Sequence, residues 1–275
     1  PSSGSSVAPS AARFRVGLPM LGRTSPTHLA FFATVALACS STHVAQPPPL
    51  ADTLRIATPG DYAPFATCSK SAPIVCEGFD VALVEGYAAH RGRSISFTLS
   101  SWATLTEDLR QHDMAIGGIT IREERAKVGA FGAPFVRTGK QALMRCEDTE
   151  RFPDWQSIEA SARLVANLGG GNERFAKAHF AAASVHILET NEAVPLAVRD
   201  GEADVFFTDG PEAALLARTH ETLCIGLGGK LYEPFELALW FAPGKSDLRA
   251  DVARYLDSPV GRKHLRELRS RYQLP

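Results

Sequence analysis

The sequence predicts an α/β protein, because short apolar strands alternate with helical segments from residue 54 to the C-terminal end. Its 275 residues are 45% hydrophobic and 21% charged, which is the composition of a folded chain with one large or two modest domains. A run of three glycines, Gly169 to Gly171, separates a predicted strand from a predicted helix. The formal net charge of −1 leaves no basic excess, so we do not expect nucleic acid as a partner.

The first 38 residues are predicted to be a signal peptide for export to the periplasm. Three arginines precede the apolar run His28 to Ala38, which is too short to span a bilayer comfortably and ends in small residues. Ala36-Leu37-Ala38-Cys39 also resembles a lipoprotein signal, so Cys39 is a candidate for lipidation and membrane anchoring. The alternative is a plain signal peptide cut at the end of the apolar run or near Ala45. Residues 39–53, with three consecutive prolines, are predicted to be a tether without a fold.

Four cysteines follow the tether, and an even number in an exported chain predicts disulfides. Cys68 and Cys76 flank a seven-residue segment that is short enough for a disulfide to close a hairpin. By elimination, Cys146 would pair with Cys224. Reduced, buried cysteines are the alternative, which applies if the chain is not exported. None of the four has metal-ligand spacing with a histidine, so we expect no metal site.

The elements before the glycine run follow from apolar periodicity and turn residues. The predicted elements are strands at Leu54–Thr58, Ser94–Leu99 and Met114–Gly118, with helices beginning near Phe79, after Trp102 and near Arg122. The loop after the first strand contains Asp61 and Tyr62, and the third strand leads into Thr120. Because ligands gather at the carboxyl ends of strands in open α/β sheets, these loops are candidate binding segments.

The segment Asn167 to Phe180 is predicted to form a strand end, a glycine turn and a helix that begins at Asn172. Glycines without a Cβ let a ligand approach the backbone closely. The helix N-terminus offers unpaired N–H groups that suit a carboxylate or phosphate. Glu173 lies in this first turn, beside a site that attracts anions. The alternative interpretation is an ordinary first-turn glutamate stabilised by the helix dipole.

Several motifs of this chain resemble the periplasmic solute-binding proteins of amino-acid transporters. The motifs are Leu54-Arg-Ile-Ala-Thr-Pro-Gly-Asp-Tyr-Ala-Pro-Phe65, Gly78-Phe-Asp80, Gly117-Gly-Ile-Thr120 with Arg125 five residues later, and Asp200-Gly-Glu-Ala-Asp204-Val-Phe-Phe-Thr-Asp209. The resemblance implies a two-lobed periplasmic-binding-protein-like fold, with the ligand cleft between lobes joined by two hinge strands. It places lobe 1 at residues 54–137 plus 234–275 and lobe 2 at residues 138–233.

A narrower resemblance is to the periplasmic cyclohexadienyl dehydratases, enzymes on the same fold that act on prephenate and arogenate. It rests on Gly60-Asp-Tyr62, Ser101-Trp102, Gly139-Lys140, Arg145-Cys146 and above all Asn167-Leu-Gly-Gly-Gly-Asn-Glu173. Transporter receptors usually carry Gly-Thr-Thr in this last segment, without the glutamate. The chain departs from the dehydratase pattern at Gly171, where those enzymes usually have Thr, and at Leu168, where they often have Pro. The missing hydroxyl at Gly171 puts one substrate contact in doubt.

The resemblance implies roles for individual residues. Glu173 is the expected general acid, a role that requires a pKa raised by burial and by the substrate's charge, against the effect of the helix dipole. Arg125 is expected to hold a substrate carboxylate in preference to Arg122, although both would otherwise lie on a solvated helix face. The expected substrate-binding residues are Asp61, Tyr62, Trp102, Gly118, Thr120, Arg125, Lys140, Gly170, Gly171, Asn172 and Asp209.

Four more of these residues have an alternative role. Asp209 is expected to pair with a ligand amino group, as arogenate has and prephenate lacks, or else to cap the helix that begins at Gly210. Lys140 is expected either to neutralise a second carboxylate or to lie in the hinge. Trp102 and Tyr62 are expected to line the ligand, and would otherwise be ordinary core aromatics.

The sequence thus predicts an exported carbon–oxygen lyase that converts prephenate, arogenate or both with loss of water and CO2, and without a metal or cofactor. The alternative is a non-catalytic receptor that hands an amino acid to a membrane transporter. Lipidation at Cys39 would favour the receptor, and Glu173 favours the enzyme. The preference between the two substrates and the oligomeric state stay open at this point.

Overall fold

The computed structural model describes residues 53–181 and 184–274. The predicted signal peptide, Cys39 and all but the last residue of the predicted tether lie outside the described residues. Thr53, which we placed at the end of the tether, is the first residue of a strand. None of the helices in the described part of the chain is long and apolar enough to cross a membrane.

Strands and helices alternate through the described residues, as the sequence predicts. The strands are β1 (Thr53–Thr58), β2 (Asp61–Tyr62), β3 (Ala66–Cys68), β4 (Cys76–Glu77), β5 (Ser94–Leu99), β6 (Met114–Ala115), β7 (Ala130–Phe131), β8 (Val136–Arg145), β9 (Leu164–Asn167), β10 (Val185–Leu188), β11 (Val205–Asp209), β12 (Leu223–Ile225), β13 (Tyr232–Leu237) and β14 (Trp240–Phe241). The helices are α1 (Phe79–Arg91), α2 (Leu105–Asp108), α3 (Glu123–Ala126), α4 (Trp155–Ser161), α5 (Gly171–His179), α6 (Ala193–Arg199), α7 (Gly210–Thr219), α8 (Ser246–Asp257) and α9 (Pro259–Tyr272).

Two separate sheets form the two lobes that the motifs predict. The first has strand order β5-β1-β6-β14-β7, and β1 is parallel to both β5 and β6. The second has order β10-β9-β11-β8-β12, with β9 parallel to β10 and β11. A small sheet of β2, β3 and β4 extends from the first lobe. The carboxyl ends of the parallel strands therefore supply the loops that approach the cleft.

The two hinge strands are β8 and β13, which pair antiparallel where the chain passes between the sheets. β8 enters the second sheet after β7, and β13 leaves it before β14. The predicted lobe boundaries, at residues 137/138 and 233/234, fall inside these two strands. The boundary residues themselves stay a prediction, since a continuous strand has no natural break at either point.

Each lobe has its own apolar core. In the first lobe, α8 and α9 bury Leu248, Val252 and Leu268 against residues of β1 and α1, so these C-terminal helices pack on the first lobe. In the second lobe, Phe175 of α5 is buried in an aromatic cluster with Phe207. Burial of these side chains supplies the main favourable free energy of folding and orients α5 on the second sheet.

The strand predicted at Met114–Gly118 is too long. β6 ends at Ala115, and Gly117 and Gly118 have φ values of 113° and 67°, which favour glycine. The N–H groups of both glycines donate to Oδ2 of the buried Asp80, at 2.8 and 2.9 Å. The chain can leave the sheet here because the Asp80 carboxylate accepts the backbone hydrogen bonds that a neighbouring strand would otherwise accept.

The predicted disulfide pairing is the one in the structure. Cys68 is joined to Cys76 across β3 and β4, eight residues apart. Cys146 is joined to Cys224, 78 residues apart, and ties the end of β8 to β12. The second disulfide therefore closes a loop that contains most of the second lobe.

Candidate functional site

A small cavity between the lobes brings together most of the residues that the sequence singled out. Its volume is about 20 Å³, room for roughly one water molecule. It is lined by Tyr62, Trp102, Gly118, Thr120, Arg122, Arg125, Lys140, Asn167, Gly170, Gly171, Asn172, Asn191 and Asp209. A ligand larger than water therefore enters only if the lobes separate or these side chains move.

Trp102 and Tyr62 form one wall of this cavity, and their rings meet edge to face with centroids 5.6 Å apart. Asp61 does not line the cavity. Its carboxylate accepts a hydrogen bond from Nε1 of Trp102 at 2.9 Å and borders a second cavity of about 280 Å³. Burial raises the pKa of Asp61, although hydrogen bonds from Trp102 and from the Asn191 backbone act in the opposite direction. Asp61 thus positions an aromatic wall of the site in this structure.

The loop of Gly117 and Gly118 forms the floor of the cavity. A Cβ on Gly118 would lie 2.5 Å from the ring of Tyr62, so only glycine allows the ring to pack against this loop. Beneath it, burial raises the pKa of Asp80 to about 7, against the effect of the two backbone N–H donors. Asp80 therefore shapes the site through the backbone and does not line it.

Arg125 lines the cavity, with a side chain that is almost completely buried. Its Nη1 donates to the carbonyl oxygen of Thr120 at 3.3 Å, and its guanidinium lies 5.7 Å from the ring centroid of Trp240. Burial, and next the charge of Arg122, lower the pKa of Arg125. A buried cation with neighbours of the same charge favours an anionic partner.

Lys140 lies at the centre of a buried polar network. Its Nζ lies 2.5 Å from Oδ1 of Asp209 and also donates to Oδ1 of Asn172. Tyr62 donates its hydroxyl hydrogen to the second carboxylate oxygen of Asp209. Asp209 makes no side-chain cap for α7, so the capping alternative is wrong. Both oxygens of this aspartate are already bonded within the protein.

The glycine turn forms as predicted between β9 and α5, although the helix begins at Gly171, one residue early. Gly169 has a φ of 77° and lies against the backbone of Ala103 in the first lobe. Gly170, Gly171 and Asn172 line the cavity and have no side-chain cap at this helix end. The unpaired N–H groups of this helix end therefore offer donors to an anion in the cleft.

Glu173 does not line the cavity in this structure. Its Oε2 accepts from the backbone N–H of Gly169, and its Oε1 pairs with Nζ of Lys177, each at 2.5 Å. Partial burial alone would raise the pKa of Glu173, but the Lys177 and Gly169 donors outweigh it, and the pKa is lowered. The raised pKa that a general acid requires is therefore absent in this state of the cleft.

Sequence reasoning missed three lining residues, of which Arg122 is the most prominent. The resemblance favours Arg125 over Arg122, but the side chain of Arg122 is only 11% exposed and also lines the cavity. Asn167 was visible as the last residue before the glycine turn. No local signal marked Asn191, whose Nδ2 donates to Glu212 at 2.6 Å. Burial raises the pKa of this glutamate to about 8.

The charges around the cavity are unbalanced. Arg122, Arg125 and Lys140 line it with one carboxylate, Asp209. No group of three His, Cys, Asp or Glu side chains that could hold a metal ion occurs within residues 53–181 and 184–274. The arrangement is suited to binding an organic anion between the lobes.

The fold and this cleft agree with a match to bacterial extracellular solute-binding proteins, family 3, over residues 54–274. The chain belongs to this family. Family 3 membership and the two disulfides indicate an exported protein. Family membership also indicates that the protein binds a small molecule.

Two relatives that match this chain have different named functions. A cyclohexadienyl dehydratase of Pseudomonas aeruginosa is 33% identical over 174 residues, which cover 62% of this chain and 64% of the relative. The match thus spans slightly less than two thirds of that enzyme. The L-cystine-binding protein TcyJ of Escherichia coli K12 is 23% identical over 199 residues, which cover 71% of this chain and 73% of the relative.

Among solved structures, the crystal structure of the ancestral amino acid-binding protein AncCDT-1, a precursor of cyclohexadienyl dehydratase, superposes with a TM-score of 0.70. It is 24% identical and covers 80% of this chain and 95% of its own. A likeness at this identity shows the two-lobed fold. The relatives thus include both an enzyme and binding proteins.

Proposed function

We propose that this family 3 protein is a dehydratase that converts prephenate, arogenate or both to the aromatic product with loss of water and CO2. The observation that carries the proposal is the bonding of Asp209, whose two carboxylate oxygens are held by Lys140 and Tyr62. The resemblance to amino-acid receptors implies that an aspartate at this place pairs with the ligand's ammonium group. Here that acid is neutralised from within the protein, while two arginines line the same cavity.

The charge balance supports a substrate that carries two carboxylates. Three cations and one carboxylate line the cavity, so an entering dianion brings the site close to neutral. Prephenate has a ring carboxylate, a pyruvyl carboxylate and a hydroxyl at C4. A free zwitterionic amino acid adds no net charge and leaves both arginines without a full counter-charge.

The segment Gly169 to Glu173 supports the same proposal, because it carries the glutamate that transporter receptors usually lack. The Pseudomonas aeruginosa relative is named as a cyclohexadienyl dehydratase. We further propose that the protein works in the periplasm, with or without an acyl anchor on Cys39. The contacts of Arg125, the helix end at Gly171 and Asn172, and the Trp102 wall are the proposed substrate-binding features.

The reaction needs little from the protein beyond orientation and one proton. The bond from C1 to the ring carboxylate breaks, CO2 leaves, and the released electron pair enters the ring. The C4–O bond breaks with its electron pair on oxygen, and the leaving hydroxide takes a proton to become water. Aromatisation drives both steps, and a placed general acid contributes about 100- to 10,000-fold.

We propose Glu173 as that acid. In the structure its carboxylate is turned back onto Gly169 and Lys177 and its pKa is lowered, so it donates only after leaving these partners. A dianion bound in the closed cleft favours the protonated form of Glu173, because nearby negative charge raises the pKa of a carboxyl group. Asp61, whose pKa is already raised by burial, is the second acid to test.

The proposal is tested by incubating the purified protein with prephenate and recording phenylpyruvate absorbance. Glu173→Gln keeps the hydrogen-bonding shape and cannot donate a carboxyl proton, so we expect turnover to fall at least ~100-fold with most substrate affinity kept. Asp61→Asn is the matched comparison. A wild-type protein that binds an amino acid and shows no turnover would establish the receptor alternative.

A further inference from the structure

The guanidinium of Arg122 occupies the space above Gly171, across the cleft between the lobes. A Cβ at position 171 would lie 2.4 Å from Nη2 of Arg122 and 3.3 Å from Nζ of Lys140. The first distance is shorter than real Cβ atoms essentially ever show, so a side chain at residue 171 would require the flexible end of Arg122 to shift from its present position. The two residues form a matched pair, defined here as the 122–171 pair.

Arg122 has few partners for a buried cation. Its side chain is 11% exposed, and its Nε is buried without a hydrogen-bond partner. The ion pair nearest to it joins Nη1 to Glu124 at 3.9 Å, and that glutamate side chain is 61% exposed. Leaving a buried guanidinium donor unbonded is costly, so this geometry is suited to a further acceptor in the cleft.

Arg125 differs from Arg122 in this respect. It donates to the carbonyl oxygen of Thr120 and lies over Trp240, so part of its bonding capacity is used by the protein. The guanidinium of Arg122 is instead directed at the first residue of α5, beside the cavity-facing helix end. An anion at that end would meet both the helix N–H groups and Arg122.

We infer that the 122–171 pair holds a second carboxylate of the ligand, so that Arg122 determines selectivity for dicarboxylates over monocarboxylates. The inference rests on the proposed function for its choice of prephenate as the ligand. Arg125 holds one carboxylate and Arg122 holds the other. Gly171 takes part by leaving room for the guanidinium, and any larger residue there displaces it.

The experiment compares equilibrium binding of prephenate, which has two carboxylates, with binding of phenylpyruvate, which has one. Calorimetric titrations use the Glu173→Gln background so that prephenate is not consumed. We expect Arg122→Gln to weaken prephenate at least about tenfold and phenylpyruvate less than about threefold. Arg174→Gln is the matched control, because Arg174 also pairs with Glu124 but its side chain is 53% exposed. It should change neither affinity by more than about twofold.

Gly171→Ala tests the pairing. Alone, it should weaken prephenate about as much as Arg122→Gln, and it should add nothing when combined with Arg122→Gln. Three results would each overturn the inference. The affinity losses of the two single variants add up in the double variant, the losses are equal for prephenate and phenylpyruvate, or the background protein does not prefer prephenate. Turnover by the wild-type protein is recorded separately. Catalysis without Arg122-dependent selectivity rejects only this inference, and selectivity without catalysis rejects only the proposed enzyme.

Discussion

Lys140 Nζ lies 2.5 Å from Asp209 Oδ1, and the two side chains are only 6% and 5% exposed. Tyr62 and Asn172 bond to the same pair, so the network links both lobes and the hinge strand β8. Removing one member of such a pair leaves an uncompensated buried charge. A ligand that brings its own ammonium group would therefore compete with Lys140 for Asp209.

The first prediction follows from this competition. In the wild-type protein we expect kcat/KM to be higher for prephenate than for arogenate, because Lys140 already neutralises Asp209. Lys140→Gln frees the aspartate for the amino group of arogenate, so the ratio of arogenate to prephenate kcat/KM should rise at least about tenfold. Lys230→Gln, at an exposed lysine outside the cavity, should leave the ratio unchanged. An unchanged ratio in Lys140→Gln would show that Asp209 does not meet the substrate's nitrogen.

The second prediction concerns the geometry of Arg125. Arg125→Lys keeps the charge and loses the two parallel hydrogen bonds that a guanidinium makes to a carboxylate. Substrate affinity should fall by roughly tenfold or more, since the side chain is almost completely buried. Arg110→Lys, at an exposed position, is the control, and thermal melting checks that each variant is folded. If both Arg125→Lys and Arg125→Ala bind substrate normally, the carboxylate clamp lies elsewhere, with Lys140 the next residue to test.

The third prediction is a shift in the pH profile. Only protonated Glu173 donates, so kcat/KM should fall as pH rises through the pKa of this group in the free enzyme. Lys177 lowers that pKa, and Lys177→Gln removes its hydrogen bond and charge. The basic limb of the profile should therefore move to higher pH.

The control for this shift is Lys127→Gln, which breaks a comparable ion pair with Glu123 on the exposed surface of α3. It should not move the limb. A profile that stays in place in Lys177→Gln would exclude Glu173 as the titrating acid. Asp61→Asn would then be measured in the same way, because burial raises the pKa of Asp61.

The fourth prediction separates the two disulfides. Cys146–Cys224 closes 78 residues and Cys68–Cys76 closes eight, so in the chain-entropy model they stabilise by about 4.5 and about 2.5 kcal/mol. Replacing both cysteines of the long pair by alanine should therefore lower the urea midpoint more than replacing those of the short pair. Non-reducing peptide mapping of exported protein should show both links. Equal midpoints in the two double variants would contradict the loop-length argument.

Much of the site was predictable because its residues occupy local motifs. The strand, glycine turn and helix around Gly169 to Glu173 follow from apolar residues, glycines and helix formers in sequence. Tyr62, Trp102 and Thr120 lie in short segments that follow strands of the first sheet, and the fold brings the ends of such strands together. For this reason most residues expected to bind substrate do line one cavity.

The features of the site that the sequence did not reveal have a common physical cause. Arg122 lies in a run of charged residues typical of a solvated surface, and only the missing side chain of Gly171, 49 positions later, makes room for it in the cleft. Nothing in the sequence around Asp209, which we expect to meet a ligand amino group, indicates that its carboxylate bonds to Tyr62, 147 residues away. Such contacts between distant residues leave no periodic trace in the sequence.

The sequence by itself determined the α/β class, the two-lobed arrangement through its motifs, the disulfide pairing and the position of the glycine turn. The class, the glycine turn and the disulfide pairing depend on local backbone preferences, apolar periodicity and a small number of possible pairings, and the two lobes are implied by the resemblance of the motifs to a known family. The tertiary structure alone decided that Lys140 neutralises Asp209, that Arg122 fills the space at Gly171, and that Glu173 pairs with Lys177 outside the cavity. Those outcomes depend on burial and on distances of a few ångströms between folded segments, which set the electrostatic energies.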